Sequence, residues 1–166
     1  MEFMGLHLPG ASFVNPGTDM RKAMTVMGVE QLLRITALGN AFRPVYNILD
    51  EKAFVNGIVG LMATGGSTNL VLHLPAMAQA AGIVLTLQDF NDIAAITPMV
   101  VKVYPNGIAD VNHFHAAGGL GYLIAELLNA GLLHEDVTTV LGKGLRAYTK
   151  EPKLTPDGVR FVDGPT

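Results

Sequence analysis

The sequence predicts an α/β protein: a helix-rich piece of an α/β/α layered domain with a few short, buried, mainly parallel strands. Three observations predict it. Apolar residues recur at helical spacing in several segments bounded by cap residues and glycine. Between them lie short β-branched, apolar runs with no polar alternation, the pattern of strands buried on both faces. Charged residues make up only 15 % of the 166, against about 25 % in an average soluble domain, so much of the surface is expected to be covered by further chain that completes the sheet.

Residues 5–17, with prolines and glycines interspersed, read as an ordered loop. Thr18 and Asp19 start a helix in which Met20, Met24, Met27, Leu32, Ile35 and Leu38 recur near helical spacing, and Gly39 stops it. Arg43–Pro44 breaks the chain, since a residue before proline avoids the helical region. Asp50 caps a second helix carrying Phe54, Ile58, Leu61 and Met62 on one face, ending at Gly65–Gly66. Leu70, Leu74, Met77, Ala78 and Ala81 set a third helix, with Pro75 expected to kink or break it and Gly82 to end it. Ile83–Leu85 is a strand candidate, and Thr86 with Asp89 forms a capping-box pair for a short helix. Pro98–Val103 reads as a buried strand and Tyr104–Gly107 as a turn. Asp110 caps a helix through Ala117, Gly119–Asn129 supports another, and Asp136–Ala147 a last one with Val137, Val140, Leu141 and Leu145 inward. The tail holds two Asp-Gly turns around a short strand. The expected organisation is a partial α/β domain over 1–154, with 155–166 a linker or a lone strand leading to a further domain.

Composition removes several function classes. Zero cysteine excludes a disulfide framework, a cysteine nucleophile and a thiolate-held zinc or iron–sulfur centre within this chain. A net charge of −3 argues against non-specific binding to nucleic acid or an acidic membrane. The most apolar window, Ala116–Leu133, contains Gly118, Gly119, Glu126 and Asn129, which speaks against a spanning helix of about 18 or more apolar residues. The first ten residues carry no basic region of the kind that opens a secretory leader.

The strongest local feature is Gly65-Gly66-Ser67-Thr68-Asn69. Two glycines allow close backbone approach, and free N–H groups at a helix start attract anions. A bound phosphate or carboxylate is one reading; a tight helix–helix connection with an ordinary cap is the other, since the cluster lacks the lysine of a Walker motif. His113 and His115 would point about 200° apart on a helix, which argues against one shared metal, although either could touch a substrate. His7, His73 and His134 are isolated and read as structural. Asp89, Asp92, Glu135 and Asp136 lie near helix starts, where the helix dipole accounts for them. No nucleophile-elbow or dinucleotide fingerprint is present, and the eight methionines read as core filler.

Four blocks together carry a resemblance: MGLHLPGAS near the start, LMATGGSTN at 61–69, YPNGIADVNHFHAAGG at 104–119 and GLLHEDVTTV at 131–140. In this order they resemble the dihydroxy-acid/phosphogluconate dehydratase family, and the wording is nearer to its phosphogluconate branch. The resemblance implies a hydro-lyase that dehydrates 6-phospho-D-gluconate to 2-dehydro-3-deoxy-6-phospho-D-gluconate in the Entner–Doudoroff route, in a cytoplasmic homodimer. It also implies an iron–sulfur cluster held by three cysteines, and a magnesium site, both mostly upstream of the MGLHLPG block. A serine base is implied in a downstream domain. This chain would then be an internal piece that is inactive alone, binds no metal and holds no catalytic residue. The residues the resemblance brings to the substrate are Gly65, Gly66, Ser67, Thr68 and Asn69, with His113 at the phosphorylated end. The alternatives are a related dihydroxy-acid or sugar-acid dehydratase, and a non-catalytic α/β module that keeps an anion or interface site.

Overall fold

A computed structural model describes residues 1–164. Its elements in chain order are α1 (Asp19–Ile35), α2 (Glu51–Thr64), α3 (Leu70–Ala80), α4 (Leu87–Ile96), α5 (Val111–Ala116), α6 (Gly119–Asn129), then β1 (Thr138–Thr139), β2 (Gly142–Lys143), β3 (Lys150–Thr155) and β4 (Gly158–Asp163). The mixed helix-and-sheet class holds. The expected parallel strands do not: among the described residues β1 pairs with β2 and β3 with β4, both antiparallel, and the one parallel pairing is a single bridge between Val103 and Ala109.

Helix α2 is the central element, and the sequence explains why. Asp50 accepts the N–H of Ala53 at its start, and Gly65 takes the left-handed conformation (φ 56°) at its end. Between these, Phe54, Ile58 and Leu61 face α3 and α4 with Met4, Leu74, Ala78 and Phe90. Val59 and Ala63 face the other way, onto Phe3, Leu123, Ile124, Leu127 and Tyr148. A helix buried on both sides reads as apolar nearly all round, as α2 does. Gly60 is what lets the N-terminal turn (Glu2–Met4) lie against it: a Cβ there would stand 2.5 Å from the Phe3 ring.

Several local expectations are corrected. Asp136–Ala147 is not a helix. Leu141 and Gly142 N–H groups both reach Thr139 Oγ1, and Gly142 and Gly144 hold φ of 148° and 94°, which no helix accommodates. Ile83–Leu85 and Pro98–Val103 form no strand, Val103 making only its single bridge to Ala109; the N–H groups of Val100 and Val101 instead both donate to Ala63 O in the last turn of α2. Helix α3 runs through Pro75 without interruption. The strand expected after Thr155 is not alone, because β4 finds its partner in β3, and Val159 and Phe161 pack with Leu8, Ala11 and Met24 against α1. Pro165 and Thr166, the end of the 155–166 segment, lie outside the described residues.

The low charge content has its counterpart on the surface. Val26, Val29, Leu32 and Leu33 stand exposed along α1, with Leu38 and Phe42 beyond its end. No helix among the described residues is long and apolar enough to cross a membrane.

Candidate functional site

The glycine-rich segment is built by two helix ends. Gly65 donates its N–H to Met62 O, and Gly66 donates to Leu61 O at 2.9 Å, which closes the carbonyl end of α2. Ser67, Thr68 and Asn69 then turn the chain into α3 through the N–H groups of Leu70, Val71 and Leu72. Asn69 is the N-cap by position but makes no side-chain cap hydrogen bond, and all of 66–70 is exposed. The segment is a tight helix–helix connection whose polar groups stand exposed at a helix N-terminus.

A second segment docks onto it. The turn Tyr104–Gly107, with a cis Tyr104–Pro105 bond, brings Asn106 Nδ2 to 3.0 Å from Gly65 O. The contact needs a glycine: a Cβ on residue 65 would meet Asn106 Nδ2 at 2.6 Å and Met99 Sδ at 2.9 Å. Sequence reasoning placed the turn but missed this bond.

His113 lies elsewhere. It is the third residue of α5, where its Nδ1 accepts the N–H of Asp110 while Asp110 Oδ1 accepts the N–H groups of Asn112 and His113. This reciprocal capping box explains the residue locally. The N–H of His113, then that of Asn112, hold the Asp110 carboxyl below the usual carboxylate range. The imidazole is well exposed and borders an open cavity of about 400 Å³ with Val101, Val103, Tyr122 and Glu126. No hydrogen bond among the described residues joins His113 to residues 65–69. His115 packs instead beside Phe13, ring centroids 6.4 Å apart.

Two functional-looking groups escaped the sequence. Glu2 is fully buried and accepts the N–H groups of Gly10 at 2.8 Å and Ser12 at 2.9 Å. Burial alone would raise its pKa; His7 beside it and the donors from Ser12 and Gly10 outweigh that and hold it below the ordinary range. The signal was faint: a lone acid within the apolar run MEFM. Asn56, buried in α2, exchanges two hydrogen bonds with the backbone of His134 (2.9 and 2.8 Å) and thereby fixes the 131–137 loop.

The family model for the N-terminal part of dihydroxy-acid/6-phosphogluconate dehydratases matches residues 1–148. The chain belongs to this family. It is 60 % identical over 158 residues to a phosphogluconate dehydratase of Rhizobium meliloti, which covers 95 % of this chain and 26 % of the relative. To the phosphogluconate dehydratase of Pseudomonas aeruginosa it is 54 % identical over 165 residues, covering 99 % of this chain and 27 % of the relative. A dihydroxy-acid dehydratase of Prochlorococcus marinus stands at 37 % over 169 residues, 99 % of this chain and 30 % of that protein. The chain thus spans about a quarter of the length of the phosphogluconate dehydratases it matches.

A thiolate-held iron–sulfur cluster does not fit the residues present. The chain has no cysteine, and among the described residues no group of three or more His, Asp or Glu converges as metal ligands would.

Proposed function

We propose that this chain is part of a phosphogluconate dehydratase, a hydro-lyase that removes water from 6-phospho-D-gluconate to give 2-dehydro-3-deoxy-6-phospho-D-gluconate in the Entner–Doudoroff route. The observation that carries the reading is the gap in identity between the two branches: 45–60 % to phosphogluconate dehydratases, 37 % to a dihydroxy-acid dehydratase, over nearly the whole chain in each case. The reaction needs a base for the C2 proton and an electrophile for the departing C3 hydroxyl. On this reading the base, the iron–sulfur centre and any magnesium of the parent belong to polypeptide outside this chain, which has no cysteine. The parent acts in the cytoplasm as a homodimer.

Within that reading the 65–69 segment contacts substrate, with Ser67 and Thr68 offering N–H and hydroxyl donors and Asn69 its side-chain amide to substrate oxygens. His113 contacts the phosphorylated end from its neighbouring helix. Residues 1–154 form part of the N-terminal α/β domain, and the chain beyond β4 leads toward a further domain.

The test is turnover. A polypeptide of the relatives' length that contains this chain is expected to dehydrate 6-phosphogluconate in preference to 2,3-dihydroxyisovalerate, and the 166-residue chain alone to do neither. Preference for 2,3-dihydroxyisovalerate would move the protein to the other branch.

A further inference from the structure

We propose that the cavity between the N-terminal loop and α1 binds a small organic anion through His7 and Arg21, with the buried Glu2 carboxylate backing the imidazole. The proposal does not rest on the dehydratase reading. The cavity encloses about 340 Å³, within the range of small-molecule sites. Its walls are largely apolar, with Leu6, Leu8, Met24 and Leu32 among them, and His7 and Arg21 bring the basic groups into it.

The imidazole is held in a particular way. His7 Nδ1 is buried without a hydrogen-bond partner, and Glu2 Oε1 lies 3.8 Å from it. The side chain as a whole is 39 % exposed, so its accessible edge is the one away from Nδ1. The backbone at this position is pinned, because Tyr148 Oη donates to His7 O at 2.7 Å. Glu2 itself is immobilised by the N–H groups of Gly10 and Ser12, and it stays ionised in the folded protein. With Nδ1 turned to the fixed carboxylate, the other ring nitrogen is the one left on the accessible edge.

Arg21 supplies a permanent positive charge. Its Nε donates to Val14 O at 3.1 Å and its Nη2 to Ala11 O at 2.8 Å, which fixes the guanidinium plane against the loop. Nη1 has no protein acceptor, and Arg21 joins no ion pair among the described residues; the adjacent acid, Asp19, is paired with Lys22. The cavity lining contains no carboxylate, and Glu2 lies behind His7. An oxyanion reaching both groups would supply the missing counter-charge, and an aliphatic body would lie on the leucines and Met24. Carboxylate and phosphate share this chemistry.

The experiment is an NMR titration of the 166-residue chain, following the His7 ring and Arg21 side-chain signals, with inorganic phosphate, gluconate and 6-phosphogluconate as separate probes. Saturable shifts at both residues with at least one probe, in roughly the millimolar range, are expected. A response to phosphate but not gluconate assigns the site to phosphate, and the reverse assigns it to carboxylate. His7→Gln, which roughly keeps the volume and removes the imidazole, is expected to weaken binding about tenfold, while His115→Gln, outside this cavity, leaves it unchanged. Absence of saturable shifts with all three probes overturns the proposal, as does undiminished affinity in a folded His7→Gln protein.

Discussion

The side-chain amide of Asn106 donates to the carbonyl oxygen of Gly65 at 3.0 Å, across 41 residues of chain. That bond ties the turn at 104–107 to the connection between α2 and α3, and so positions the exposed polar run that follows. Asn106→Ala removes one partly solvated hydrogen bond and is expected to cost about 0.5–1.5 kcal/mol. Gly65→Ala places a Cβ against the same amide at a positive φ, and is expected to cost about 1–2 kcal/mol from the backbone alone. The two effects share one contact, so in a double-mutant cycle by urea unfolding they should fall short of additive. Full additivity would mean that the two segments are not coupled.

Asn56 and His134 make the stronger test of the fold. Asn56 is completely buried and satisfies both the N–H and the C=O of His134. Asn56→Ala strands both backbone groups, and a loss of about 2–4 kcal/mol is expected as a lowered urea midpoint at unchanged m. Asn56→Asp keeps the acceptor, loses the donor and buries a charge, so it should be no better tolerated.

Acid stability should report on Glu2. Its folded-state pKa is depressed, so the carboxylate contributes stability that is fully present above the ordinary unfolded carboxylate value of about 4.3. That contribution is lost as pH falls toward and through the depressed folded value. Glu2→Gln is therefore expected to lower stability at pH 7 and to flatten the loss between about pH 5 and the acid limit. A Glu2→Gln protein whose acid transition follows that of the wild type would show that other carboxylates control it.

His113 carries two roles that separate by experiment. Its part in the α5 capping box predicts that His113→Ala costs about 0.5–1 kcal/mol of stability, and Asp110→Ala about 1 kcal/mol. Contact with the phosphorylated end of substrate predicts more: in the longer enzyme, His113→Ala should raise KM for 6-phosphogluconate more than for a non-phosphorylated sugar acid. Equal effects on both substrates would leave the residue as a cap only.

Much of the helical framework was legible because its punctuation is chemical. Thr18, Asp50, the Thr86–Asp89 box and Asp110 cap where the sequence places them, and Gly65 ends α2 in the left-handed conformation that favours glycine. The misreadings share a cause. Val137, Val140, Leu141 and Leu145 imitate helical spacing, but Thr139 captures the local N–H groups and the following glycines need positive φ. The apolar runs at 83–85 and 98–103 are β-branched, yet a strand exists only where a partner lies alongside, and partners are not written in local sequence. The 65–69 segment was legible as an exposed polar turn, whereas its bond to Asn106, 41 residues on, depends on tertiary approach.

Turnover by two forms of the protein tests the central claim most directly. A polypeptide of the relatives' length containing this chain, and the 166-residue chain alone, are assayed side by side on 6-phosphogluconate for formation of the 2-dehydro-3-deoxy product. The account predicts product with the longer protein and none with the 166-residue chain, which has no cysteine to hold a cluster. Turnover by the 166-residue chain alone, or a longer protein inactive on 6-phosphogluconate but active on 2,3-dihydroxyisovalerate, would contradict it.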